Sequence, residues 1–130
     1  MASTFSFELV SPERVLFSGD VASVVVPAAE GDITVLANHA PFMSAVRNGV
    51  VTVDGAKRLF VRGGFVDVAA SGLTLLAEQA VAVEDINAEA LAGDIKNAEE
   101  DLRDAKSDDA RDAAIAKLDG LKAMMAAVRN

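Results

Sequence analysis

Residues 73–95 read LTLLAEQAVAVEDINAEALAGDI and contain a change in the spacing of the apolar side chains. Before Val83 the apolar residues occur in short runs separated by turn residues, a pattern typical of β-strands. After Val83 they are three and four residues apart, as at Leu91 and Ile95, which is the period of an amphipathic α-helix. The sequence therefore predicts two different structural units joined near residue 84.

The segment before this boundary predicts ten short strands. Phe5, Phe7 and Leu9 alternate with polar residues, as in a strand with one buried face and one wet face. Turn residues such as Asp54 and Gly55 separate the runs. Ten strands are too many for one flat sheet of this size, so we expect two sheets packed face to face. The predicted strands cover residues 5–9, 15–17, 21–26, 33–36, 42–46, 50–53, 58–61, 65–68, 73–76 and 81–83.

The segment after the boundary predicts two helices, with Asn87 and Ser107 as their N-caps. The link around residues 106–108 is so short that the second helix must fold back on the first. Their seam is rich in alanine, so little apolar area is buried between them. The predicted fold is α+β, with a ten-stranded β-sandwich at residues 1–84 and an antiparallel two-helix hairpin at residues 85–130.

Composition excludes several classes of function. The chain has 130 residues, 52% of them hydrophobic, so we expect a small folded protein and not a large multidomain enzyme. It has no cysteine, which excludes disulfides and thiolate chemistry. A net charge of −8 makes nucleic acid an unfavourable partner. No apolar run reaches the length of a membrane span, and residues 1–10 lack the pattern of a leader, so we expect the chain to stay where it is made.

No catalytic or metal-binding motif is present, and we expect no cofactor. His39 is the only histidine, and no second ligand follows at a metal-binding spacing. In the sequence NHAP it is expected to bond to neighbouring carbonyl groups of a loop. Glu30 and Asp32 flank Gly31 at a predicted turn, where exposed carboxylates are poor acids for catalysis. These residues therefore indicate a contact surface.

Residues 30–42, EGDITVLANHAPF, resemble the pattern E-G-x-x-x-x-L-x-x-H-A-P of the epsilon subunit family of F-type ATP synthase. Three further stretches match the family in the same order: FELVSPERVLFSG at 7–19, GGFVDV at 63–68 and LTLLAEQA at 73–80. Together they cover nearly the whole predicted β-segment. The family fold, a ten-stranded sandwich followed by a helical hairpin, agrees with the fold that periodicity predicts.

The resemblance implies a non-catalytic rotor subunit in the central stalk. In the family the sandwich contacts the gamma subunit and the membrane-embedded c-ring, so that proton-driven ring rotation is coupled to ATP synthesis. By position, Glu30, Asp32 and His39 are expected to belong to the contact region for these partners. The resemblance also implies a peripheral location on the cytoplasmic face of a bacterial inner membrane.

For the hairpin, the resemblance implies a regulatory role with two departures from the family. Some members bind ATP through the motif [IL]-D-x-x-R-A, but here Asn87 replaces the aspartate and Ala90 replaces the arginine, so we expect no useful ATP binding. In the family a basic second helix meets the catalytic alpha and beta subunits and inhibits ATP hydrolysis. Here that helix carries four basic and four acidic residues, which does not favour inhibition. The candidate docking residues are Arg103, Arg111, Lys117, Lys122 and Arg129.

Two other functions are compatible with a small soluble fold. One is a free cytosolic module that senses a ligand through a mobile hairpin, which the altered ATP motif disfavours. The other is a small hydrolase centred on His39, which the lack of a nucleophile motif disfavours.

Overall fold

Strands give way to helices at Val83 in the computed structural model, which describes residues 3–129. The chain divides into two compact units, one ending at Val83 and the other beginning at Glu84. A single 3-10 turn, Val83–Asp85, spans this division. The sandwich and the two-helix hairpin expected from the hydrophobic periods are both confirmed.

The described residues contain eight strands in one hydrogen-bonded sheet, in which seven follow the order β2-β1-β8-β7-β6-β3-β4 and β5 pairs with β7 outside this path. Neighbouring strands are antiparallel, except that β1 and β8 are parallel. The strands are β1 (Phe5–Val10), β2 (Val15–Val21), β3 (Ser23–Ala28), β4 (Gly31–Leu36), β5 (Phe42–Ala45), β6 (Gly49–Val53), β7 (Lys57–Ala69) and β8 (Gly72–Ala82).

The expected number of ten strands is corrected to eight, because β7 and β8 each contain two of the predicted strands. The first half of β7 pairs with β6, and its second half pairs with β5. The halves of β8 pair with the corresponding halves of β7, and only residues 73–76 pair with β1. Both long strands therefore pass from one layer of the sandwich to the other, and each layer contains five strand segments.

The bend in β7 depends on Gly63 and Gly64. Both have positive φ angles, 64° and 126°, which glycine adopts without strain. A Cβ atom on Gly64 would lie 2.1 Å from the carbonyl oxygen of Leu76. The backbones of β7 and β8 can therefore lie this close together only because glycine has no side chain. The inward-facing positions change here from odd numbers, such as Leu59, to even numbers, such as Val66.

The core lies between the two layers. Most strands contribute alternate residues to it, whereas β2 and β5 contribute fewer buried side chains. Phe7 and Leu9 of β1 are fully buried, as are Val51 of β6 and Leu75 of β8. Removal of each such side chain from water contributes about 1.5–3 kcal/mol to folding. The rings of Phe7 and Phe17 pack at a centroid distance of 5.4 Å, which joins β2 to this core.

Asp54, in the β6–β7 turn, connects this turn to the chain between β2 and β3. Its Oδ1 accepts hydrogen bonds from the backbone N–H groups of Ala22 at 2.7 Å and Ser23 at 3.0 Å. Its own N–H donates to the carbonyl of Ser23 at 2.9 Å. Asp54 also has a positive φ of 52°, a conformation that aspartate and asparagine tolerate better than other residues with a side chain.

We expect Asp54→Ala to lower the free energy of unfolding by about 2 kcal/mol, because two charge-assisted hydrogen bonds are lost. Asp54→Asn keeps the accepting oxygen and the tolerance for positive φ, so it should lose clearly less. Urea unfolding of both variants and the parent chain measures the difference. Equal losses for alanine and asparagine would contradict the role of this side chain.

The second unit consists of α1 (Ala88–Asp104) and α2 (Asp108–Arg129). Both expected N-caps are confirmed, since Asn87 Oδ1 accepts from Ala90 N–H at 3.0 Å and Ser107 Oγ accepts from Ala110 N–H at 3.1 Å. Among the described helices, neither is apolar over a long enough stretch to cross a membrane. The buried helical residues are mostly small: Leu91, Ala98, Ala114, Leu118, Gly120 and Ala127.

Candidate interaction surfaces

The turn between β3 and β4 presents Glu30 to solvent. Ala29 and Glu30 form its tip, and Gly31 has a φ of 140° that suits glycine. Asp32 lies inside β4, opposite Pro27 of β3, and not at the tip itself. The two acidic residues that the sequence placed together therefore have different surroundings.

Asp32 is paired with a cation that sequence analysis did not select. Arg47, in the connection between β5 and β6, donates from Nη2 to Asp32 Oδ1. Both side chains are partly open to solvent, with 47% of Arg47 and 64% of Asp32 exposed. The two residues are 15 positions apart, and no local pattern indicates that the chain brings them together.

His39 lies in the loop after β4 and is exposed, as expected for a histidine held by loop carbonyls. The backbone N–H of His39 donates to the carbonyl of Leu36 at 3.2 Å, and Asn38, inside this turn, has a φ of 68°. The ring Nδ1 donates to the carbonyl of Ala40 at 2.8 Å. The ring also contacts Phe42 at a centroid distance of 5.4 Å, and it lines a cleft of about 280 Å³.

Glu30 and His39 lie at opposite ends of β4, on one side of the sandwich. Eight residues lie between them, and the six that form β4 span roughly 20 Å. This side consists of the two edge strands β4 and β5, since β4 pairs only with β3 and β5 pairs only with β7. A recess of about 360 Å³ connects Glu30 with Phe42 and the exposed Met43. We call this surface, from Glu30 to Met43, the β4–β5 side.

A second surface crosses the outer face of one layer and was not found from the sequence. Strand pairing places five apolar residues in one row across β2, β1, β8, β7 and β5. Three of them are large and more than half exposed: Val15 at 56%, Leu76 at 57% and Phe65 at 51%. The signal in the sequence was the apolar residue at the outward position of each strand. We call Val15, Val10, Leu76, Phe65 and Ala45 the apolar row.

The neighbouring row on the same face, two residues along β1, β8, β7 and β5, is mostly polar. It contains Ser18, Glu8, Thr74 and Asp67, and ends at Met43. Most of the exposed apolar side chains of this face therefore form a contiguous stripe, an arrangement that favours an interaction site over scattered surface hydrophobicity.

The hairpin residues selected from the sequence are exposed and spread along both helices. Lys122 and Arg129 line a groove of about 560 Å³ together with Ala92, Ile95 and Met125. Arg103, Arg111 and Lys117 do not line it. Asn87, at the position of the altered ATP motif, uses its side chain as the cap of α1. Among residues 3–129, no three His, Asp or Glu side chains come close enough together to hold a metal ion.

Residues 4–83, which include both sandwich surfaces, match the family described as ATP synthase, Delta/Epsilon chain, beta-sandwich domain. The ATP synthase epsilon chain of Maricaulis maris is 54% identical over 129 residues, which covers 97% of this chain and 97% of that one. The chain belongs to the ATP synthase epsilon chain family. The epsilon chain of Parvibaculum lavamentivorans is 52% identical over 126 residues and covers 94% of this chain.

Epsilon chain membership confirms the expectation that the protein is a non-catalytic subunit of the rotor stalk of an F-type ATP synthase. It is a peripheral component of that membrane complex. The fold is shared with a chain in the Euglena gracilis mitochondrial ATP synthase, with a TM-score of 0.83 and 20% identity over 98% of this chain and 83% of that chain. A chain from the central stalk and c-ring structure of Tetrahymena thermophila has a TM-score of 0.70 at 10% identity.

Proposed function

We propose that the sandwich couples rotation of the c-ring to the catalytic head by using two surfaces at once. The apolar row binds the gamma subunit, and the β4–β5 side rests on the polar loops of the c-ring. The observation that carries this proposal is the exposed apolar row on a chain of the epsilon family. A stripe of this kind favours a permanent neighbour over solvent, because each of its large side chains is about half exposed and gains on the order of 1 kcal/mol when it is covered.

The β4–β5 side suits a different kind of contact. It presents an acidic group, Glu30, and an aromatic pair, His39 and Phe42, around two shallow recesses. Charged groups at the rim of an interface contribute more to specificity and register than to affinity. This is the property that a contact with basic groups on the ring loops needs if it is to transmit rotation.

For the hairpin we propose a regulatory role that involves weak contacts with the alpha and beta subunits. Arg103, Arg111, Lys117, Lys122 and Arg129 are the exposed cations available for an acidic partner segment. The acidic residues between them reduce that attraction, so inhibition of ATP hydrolysis is expected to be small. Asn87 and Ala90 supply no cation for a phosphate group, and ATP regulation is not part of the proposal.

We place the chain on the cytoplasmic face of a bacterial inner membrane, where it is held through the complex. The relatives at 54% and 52% identity come from bacterial strains, which supports this location.

The coupling role is tested by adding the purified chain to ATP synthase membranes from which the epsilon chain has been removed. We expect ATP-driven proton pumping to return, with the added chain sedimenting with the membranes. A chain that stays in the supernatant and leaves pumping unchanged would support the alternative of a free ligand-sensing module.

A further inference from the structure

Arg47 contacts both strands of the β3–β4 hairpin. Its backbone N–H donates to the carbonyl of Pro27 at 2.9 Å, and its side-chain Nε donates to the carbonyl of Ala28 at 3.2 Å. Its Nη2 donates to Asp32 of β4. One residue of the β5–β6 connection therefore holds the end of β3 and the start of β4, on either side of the turn that carries Glu30.

The chain around Arg47 is itself fixed to the same turn. Ala29 N–H donates to the carbonyl of Ala45 at 2.9 Å, and Ala28 forms an antiparallel bridge with Val46. A Cβ atom on Gly49 would lie 3.0 Å from the Pro27 Cβ, so the start of β6 also lies directly against β3. These contacts give the Arg47 guanidinium a fixed base from which to reach Asp32.

The pairing divides the two acidic residues of this surface into different roles. The Asp32 carboxylate is engaged by Arg47, so the two charges offset one another. Glu30 remains as the acidic group at the tip of the turn. We propose that Arg47 is a positioning residue for coupling: it neutralises Asp32 and orients the turn so that the partner recognises Glu30. This inference rests on the proposed contact between the β4–β5 side and the c-ring.

An exposed ion pair contributes little to folding, so its removal is expected to leave the fold intact. A loss of coupling in a variant that still folds normally therefore indicates a positioning role and not a structural one. If the ion pair between Asp32 and Arg47 is what positions the turn, exchanging the two charges should preserve its function even though the bond from Arg47 Nε to the Ala28 carbonyl is lost. If Asp32 contacts the ring directly, the exchange should be as harmful as the loss of its charge.

The test uses the whole ATP synthase complex with variant epsilon chains, and measures the ratio of ATP-driven proton pumping to ATP hydrolysis. Arg47→Ala and Asp32→Arg should each lower this ratio, by up to about fivefold. The double variant Asp32→Arg with Arg47→Asp should restore it to within about twofold of the parent. Thermal unfolding of each purified chain identifies any variant with a folding defect, and Arg47→Gln, which also removes the charge but keeps a polar side chain, replaces Arg47→Ala in that case.

Glu30→Gln separates this inference from the proposed function. A fall in the ratio for Glu30→Gln, together with rescue by the charge exchange, supports both. If Glu30→Gln lowers the ratio but the exchange does not rescue, Asp32 contacts the partner itself and the positioning role is wrong, while the contact surface stands. If none of these variants changes the ratio, the β4–β5 side is not the coupling surface, and the role of Arg47 is refuted with it.

Discussion

Replacing Phe65 and Leu76 together with aspartate should weaken binding of the chain to the gamma subunit by at least about 100-fold. The two side chains are neighbours across β7 and β8, and both are more than half exposed in the free chain. An interface over the apolar row would bury them, and the variant would instead bury two carboxylates without partners. Isothermal calorimetry with purified gamma subunit measures the loss of affinity.

The control must carry the same added charge without touching the apolar row. Thr34→Asp with Gln79→Asp adds two carboxylates at exposed positions of the other layer, on β4 and β8. We expect this control to bind gamma within about threefold of the parent, since surface charge away from an interface changes binding only slightly. Equal loss in both double variants would mean that net charge, and not the apolar row, governs the interaction.

The largest effect on stability is expected for Gly64→Ala. The added Cβ would lie 2.1 Å from the Leu76 carbonyl oxygen and 2.9 Å from the Ala77 Cα, so β7 and β8 must move apart. The φ of 126° adds strain for any residue with a side chain. We expect a loss of roughly 3 kcal/mol or more, and a fall in Tm of about 10 °C or more, measured by circular dichroism.

Gly19→Ala is the matched control in β2. Its added Cβ would first meet the Phe17 ring at 3.8 Å, which is an ordinary contact, and its φ is not in the positive range. We expect a change within about 1 kcal/mol. A Gly64→Ala chain as stable as the Gly19→Ala chain would show that the strands adjust to the methyl group, and that the bend does not require glycine.

The hydrophobic periods predicted the sandwich, the hairpin and both helix caps, because these depend on residues near one another in the chain. The same reasoning divided β7 and β8 in two, because alternation stops at Gly63–Gly64 and again near Glu78. A break in alternation has the same appearance whether a strand ends or bends into another layer. Only the pairing of residues 59–62 with 79–82 and of 64–69 with 72–77 distinguishes the two cases.

The features of the candidate site that depend on residues near one another in the chain were predictable from the sequence. The loop bonding of His39 and the exposure of Glu30 follow from turn chemistry. The pairing of Asp32 with Arg47 does not follow from turn chemistry. Arg47 comes close to Asp32 only because β5, which precedes it, lies in the other layer. The apolar row was also missed, since a single apolar residue at an outward position of one strand does not show that its neighbours on the adjacent strands are apolar too. It becomes visible only when the register of five strands is known.

The passage of β7 and β8 through both layers has a mechanical consequence. In two sheets that are joined only by loops, a sideways load is resisted mainly by the interdigitated side chains of the interior. Here two covalent backbones tie the layers together, so a shearing force applied to one layer is carried into the other as tension along the chain. We therefore expect a rotor component built in this way to resist shear between its layers better than two sheets joined only by loops.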